Sequence, residues 1–216
     1  MKIIFALSTL ITLTLSTCAQ ETKSENVNTN IQPVQTTRED GLQNAYFASG
    51  CFWCVEAIYE HVKGVKEVIS GYAGGYADNP SYRQVGSGTT GHSETVEVQY
   101  DPNVVDYKTL VEVYYGSQDP TTYGQAPDFG SAYRSMIFYQ NSTEKEIAEN
   151  FKAEVQKQYD KPVKTEIVPF QKFFKAEKYH QDYERLNPNQ SYILRVSKPR
   201  LERFKSKFPN LVKNES

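Results

Sequence analysis

AYFASGCFWCVEAIYEHVKGVKEVISG, residues 45–71, reads as strand, helix and strand in a single run. Ala45 to Ala48 is a short apolar strand. Val55, Ile58, Tyr59 and Val62 then recur at i, i+3, i+4 and i+7, which is one apolar face of a helix beginning near Phe52. Gly64 ends that helix, and Val65 to Gly71 forms the second strand. Outward from this unit, a Gly-, Asn- and Pro-rich loop covers residues 72–92, and Glu94 to Tyr100 alternates as a third strand. Asp101-Pro102 turns the chain. Tyr107, Leu110, Val113 and Tyr114 make a second helical stripe, and Ser135 to Tyr139 is a fourth strand. The order β-α-β-β-α-β predicts an α+β fold, the ferredoxin-like split βαβ sandwich.

Past that core the chain carries an extra C-terminal helix and extended segments. Ser142 caps a helix running to about Tyr159, and a short strand follows near residues 165–168. Phe173, Phe174, Tyr179 and Tyr183 serve either as core or as a wall of a site. Residues 197–216 hold six Lys/Arg against two Glu, which reads as a solvated surface or as a contact for anionic lipid heads.

Upstream, Lys2 and the thirteen apolar-rich residues Ile3 to Leu15 form an export signal, too short for the roughly 20 residues that span a bilayer. Leu15-Ser16-Thr17-Cys18 resembles the bacterial lipoprotein signal, in which the cysteine becomes the lipidated first residue. A plain secretory signal cleaved near Ala19 is the alternative. Residues 19–44 contain no aromatic and few apolar side chains, so they read as a disordered tether. The expected organisation is therefore signal 1–18, tether 19–44 and catalytic domain 45–210. The location is the cell envelope, held to the membrane by lipid on Cys18.

A net charge of −2 gives no footprint for nucleic acid. With Cys18 given to lipid, Cys51 and Cys54 remain for chemistry. Two cysteines and three dispersed histidines do not build a zinc site, so no metal and no cofactor is expected. Cys51 lies at the junction of strand and helix, where unpaired amides and the helix dipole favour a thiolate. Cys54 sits one turn on. As a structural staple, so short a loop constrains the unfolded chain by only roughly 2 kcal/mol. A redox pair is the preferred reading.

Glu94 shares a strand face with Val96, Val98 and Tyr100, whereas Thr95, Glu97 and Gln99 share the other. A carboxyl on the apolar face keeps its proton and can donate it. Alternation alone equally allows Glu94 to pair with a cation such as Arg83 or Arg134. Gly86-Ser87-Gly88-Thr89-Thr90-Gly91 spells a dinucleotide fingerprint, but a loop precedes it and a strand follows, so it is assigned to a loop.

Several blocks occur in order: Gly50-Cys51-Phe52-Trp53-Cys54, Gly71-Tyr72-Ala73-Gly74-Gly75, Asn79-Pro80-Ser81-Tyr82, Thr90-Gly91-His92-Ser93-Glu94, Tyr100-Asp101-Pro102, Asp119-Pro120-Thr121, Asp128-Phe129-Gly130 and Tyr133-Arg134-Ser135. Residues 174–183, FKAEKYHQDY, complete the set. Together they resemble the peptide methionine-S-sulfoxide reductases of the A type, over roughly residues 45–190. The resemblance implies that Cys51 attacks the sulfoxide sulfur and becomes a sulfenic acid, which Cys54 resolves. It implies that Glu94 protonates the oxygen, Tyr82 and Tyr133 hydrogen-bond it, Asp128 supports the site, and Phe52 and Trp53 hold the methyl group. It also implies a monomer acting on oxidised proteins or free methionine sulfoxide, recycled by a thioredoxin-like reductant. Tyr123-Gly124, Ala126 and Ala132 depart from the family pattern, and no recycling cysteine follows Cys54.

Overall fold

The computed structural model describes residues 31–214. The signal, its Cys18 and residues 19–30 of the tether lie outside the described residues. The elements are β1 (Gln43–Ala48), α1 (Phe52–Glu60), β2 (Val65–Ala73), α2 (Tyr82–Gly86), β3 (Ser93–Tyr100) and α3 (Tyr107–Gly116). They continue with β4 (Gly124–Gln125), β5 (Asp128–Phe129), β6 (Met136–Tyr139), α4 (Ser142–Gln156), β7 (Glu166–Pro169), β8 (Phe173–Lys175), α5 (Tyr183–Leu186) and α6 (Lys198–Lys207).

The main sheet runs β7-β6-β1-β3-β2-β8. Its central four, β6-β1-β3-β2, pair antiparallel throughout, which is the ferredoxin-like order. The chain extends both edges: β7 adds parallel to β6, and β8 adds antiparallel to β2. The β8 approach explains Gly71, since a Cβ there would lie 2.3 Å from the Phe173 ring.

Alternation along β1 sets the layers. Ala45 and Phe47 face α1 and α3 in the main core, where Phe47 stacks on Tyr59 at 5.1 Å. Tyr46 and Ala48 face the other way into a smaller cluster, where Tyr46 stacks on Phe170 at 3.9 Å. That second cover corrects two expectations. Thr95 and Gln99 of β3 are buried, and Glu97 is half-buried, accepting from the Tyr46 hydroxyl at 2.8 Å rather than facing water. The domain also begins before residue 45. β1 starts at Gln43, the Val34 amide donates to Phe170 O (2.8 Å), and the Thr36 amide and hydroxyl donate to Gln140 Oε1 (2.8 and 2.6 Å). This stretch is held by backbone and polar bonds, which apolar content does not report.

Smaller differences are local. Asn141, not Ser142, caps α4 by accepting the Glu144 amide at 2.9 Å. A short α2 interrupts the segment read as loop. The C-terminal basic stretch is not simply solvated, because α6 buries Arg200, Leu201 and Phe204. No helix among the described residues is long and apolar enough to cross a membrane.

Candidate active site

The site is built where β1 hands over to α1. Gly50 takes a positive φ of 74°, which glycine adopts without strain, and its amide donates to Tyr133 O at 3.2 Å. The turn leaves Cys51 at the N-cap of α1 with no side-chain cap of its own. The first free amide of the helix, that of Phe52, instead donates to Glu94 Oε2 at 2.9 Å. Glu94 therefore lies beside Cys51, and no cation pairs with it among the described residues; Arg134 pairs with Glu166 at 3.1 Å. The open choice for Glu94 thus resolves to a buried carboxyl. Burial pushes its pKa up to about 8 against the Phe52 hydrogen bond, so the group is protonated at neutral pH.

The two cysteines are free thiols, both buried. Burial and the adjoining Cys54 sulfur push the Cys51 thiol up, contrary to the thiolate expected at a helix start. Cys54, hydrogen-bonded to Cys51 and facing the Arg200 guanidinium, is held below its ordinary value.

An aromatic wall surrounds this point. Phe52 stacks near Tyr82 at 6.3 Å, and Trp53 lies flat on Tyr183 at 3.7 Å. The Trp53 indole N–H donates to His180 Nδ1 at 3.2 Å, which puts the His180 proton on Nε2. Tyr82 is fixed through its amide, which donates to Glu177 Oε1 (2.9 Å), and its phenol has no hydrogen-bond partner among the described residues. The Tyr133 phenol is likewise unpartnered there. Burial, with Glu94 next in effect, raises both phenols, Tyr82 to about 12, so both stay protonated donors. Asp128 of β5 accepts from the Tyr192 hydroxyl, whose oxygen lies 3.7 Å from Cys54 Sγ.

The family model for peptide methionine sulfoxide reductase matches residues 43–212. The chain belongs to the peptide methionine sulfoxide reductase family. It is 42% identical over 176 residues to the peptide methionine sulfoxide reductase MsrA of Chromobacterium violaceum, covering 80% of this chain and 100% of that protein. Among solved structures it is similar to methionine sulfoxide reductase A of Corynebacterium diphtheriae, with TM-score 0.64, 33% identity, and coverage of 74% of this chain and 84% of that one. It is similar also to reduced Mxr1 of Saccharomyces cerevisiae, with TM-score 0.65, 30% identity, and coverage of 74% and 93%. The protein is an oxidoreductase that reduces methionine sulfoxide to methionine.

In this reductase the structure brings together Cys51, Phe52, Trp53, Cys54, Tyr82, Glu94, Asp128 and Tyr133 from five separate segments of sequence. It adds residues that the sequence reading left without a role. Tyr192 bridges Asp128 and Cys54, yet nothing in its surroundings, Asn-Gln-Ser-Tyr, marks it. Tyr183 and His180 orient Trp53, which resolves the aromatic segment into wall (Tyr183), sheet cover (Phe173) and exposed surface (Tyr179). Arg200 donates to Ser49 O (2.9 Å), Ser49 Oγ (2.7 Å) and Ser117 O (2.9 Å), tying α6 to the turn that carries the cysteines.

Proposed function

We propose that the enzyme acts on the S-epimer of methionine sulfoxide, free or in proteins, through a Cys51 sulfenic acid and a Cys51–Cys54 disulfide. The Cys51 sulfur attacks the sulfoxide sulfur while Glu94 gives its proton to the oxygen. Tyr82 and Tyr133 donate hydrogen bonds to that oxygen as charge builds on it. The sulfur–sulfur bond so formed and the S–O bond then break as the protonated oxygen passes to Cys51, and the Cys51 thiol proton replaces the one Glu94 gave. Methionine leaves with its thioether restored, and Cys51 keeps the sulfenic hydroxyl. Cys54 displaces it as water and closes the bridge. Two electrons from a thioredoxin-like dithiol then reopen the bridge by thiol–disulfide exchange.

The observation that carries this reading is Glu94 bonded to the Phe52 amide, because it sets a protonated acid next to the nucleophile. The test offers the purified protein S- and R-sulfoxide substrates with dithiothreitol. Turnover of the S-epimer alone is expected; turnover of neither sinks the reading. We propose further that the enzyme works as a monomer in the cell envelope, anchored by lipid on Cys18. The support is the lipoprotein-like run Leu15-Ser16-Thr17-Cys18. Membrane retention that survives Cys18→Ala in a bacterial host would remove the anchor.

A further inference from the structure

A cleft of about 810 Å³ reaches Cys51 and Cys54 from the C-terminal side and is not lined by Phe52, Tyr82, Glu94 or Tyr133. The cysteines are thus approached by two walls, one aromatic and one basic. The basic wall carries Arg195, Arg203 and Lys207, all exposed, with Arg200 buried beneath them. Neither Arg195 nor Arg203 has a carboxylate partner among the described residues, and Lys207 lies over the Phe208 ring at 5.5 Å. The facing acids are already engaged: Asp128 takes the Tyr192 hydroxyl, and Asp119 takes the Thr121 amide and hydroxyl. Those bonds are to neutral groups and leave the carboxylates charged, so Arg195, Arg200, Arg203 and Lys207 against Asp119 and Asp128 give the cleft a net positive lining towards the sulfurs.

We propose that this cleft is the binding site of a low-molecular-weight thiol bearing carboxylates, which enters along Arg195, Arg203 and Lys207 and reduces the Cys51–Cys54 bridge. The proposal rests on the disulfide chemistry above and adds a second class of reductant beside a thioredoxin-like protein. Guanidinium forks match carboxylates in geometry as well as charge. Size points the same way. With the thiols free, Cys51 is 7% exposed and Cys54 2%, at the floor of a cleft whose volume of about 810 Å³ admits a small molecule.

The exchange balances. The small thiolate attacks the Cys51 sulfur, the Cys51–Cys54 bond breaks, and Cys54 leaves as a thiolate facing Arg200. A second thiolate attacks the small-molecule sulfur of the mixed disulfide and frees Cys51. Two small thiols become one small disulfide, and their two protons end on Cys51 and Cys54.

The full chain, oxidised by one turnover with methionine sulfoxide, is mixed with glutathione or mercaptosuccinate, with neutral 2-mercaptoethanol, and with cationic cysteamine. Rates are compared at equal thiolate concentration. The anionic thiols are expected to react at least about tenfold faster than the neutral one, with the advantage shrinking as salt is added. In Arg195→Glu/Arg203→Glu the anionic-to-neutral ratio should fall at least about fivefold. Equal rates for all three charge classes at low salt overturn the proposal, as does a ratio unchanged in the variant. Loss of thioredoxin-supported turnover in the variant with that ratio intact would make the cleft a protein-docking surface and also overturn it. Methionine release by the reduced protein, measured in parallel, separates the two readings. Zero release defeats the disulfide chemistry itself, whereas normal release without anion preference defeats the cleft alone.

Discussion

The Glu94 carboxyl oxygen lies 2.9 Å from the Phe52 amide, so the acid occupies the capping place that Cys51, one residue earlier, leaves unfilled. Helix start and proton donor are thereby one contact, and moving either displaces the other.

From that contact, Glu94→Gln keeps the shape but has no acidic proton. Methionine release in a single turnover should slow by about two orders of magnitude with circular dichroism unchanged. Glu97→Gln, on the far face, should leave the rate within about twofold and lower the melting temperature slightly through Tyr46. Equal small losses of rate in both variants would take Glu94 out of the chemistry.

The pH dependence has a definite sign. Glu94 donates only while protonated and has a pKa raised to about 8, so the wild type's advantage over Glu94→Gln, which shares the Cys51 ionisation, should hold between pH 6 and 7 and shrink as pH rises through 8. Single-turnover pH series on both proteins check this, and a ratio that stays constant to pH 9 contradicts it.

Cys51→Ser should abolish methionine release, whereas Cys54→Ser should release close to one equivalent and stop. Quantifying methionine against enzyme decides between them. Absence of release from the second variant would show that Cys54 is needed before methionine leaves.

Tyr192→Phe removes the hydroxyl between Asp128 and Cys54. First-turnover methionine release should change little, while bridge closure, followed by loss of free thiols, should slow by roughly tenfold. The reverse pattern would place Tyr192 on the sulfoxide side of the site.

Stability should also fall with alkali. Glu56 of α1 accepts from Ser70 Oγ and the Asp182 amide, both at 3.0 Å, and burial raises its pKa to about 8. A raised folded-state pKa means that the folded protein binds the proton more tightly, so stability is full below the unfolded value and is lost as pH rises through 8. The melting temperature of the wild type should drop between pH 6 and 9. Glu56→Gln should flatten that drop by roughly 3 °C or more.

The strand–helix–strand run at 45–71 was legible because its two periods, 2 and 3.6, are set by local burial. β3 was legible on one face and misleading on the other. Its second face is covered by Tyr46 and Phe170, and no local pattern in residues 93–100 reports what packs from residue 170. Cys51 and Cys54 declared themselves by type and spacing. The opposite shifts of their thiols did not, since beside each other and burial they answer to groups far off in sequence, such as Arg200 opposite Cys54. Tyr192 was illegible for the same reason: its role is set by Asp128 and Cys54, which only the fold brings to it. Residues 31–42 look like tether because composition counts apolar atoms, whereas hydrogen bonds to Gln140 and Phe170 hold them.

Arg200 closes the structure in time as well as in space. Its three bonds join a residue near the end of the chain to Ser49 and Ser117, and Ser49 lies two residues before Cys51. Chains are made from the N-terminus, so the cysteine turn emerges about 150 residues before the guanidinium that bonds Ser49. A chain cut short before residue 200 lacks all three bonds on the turn that carries Cys51.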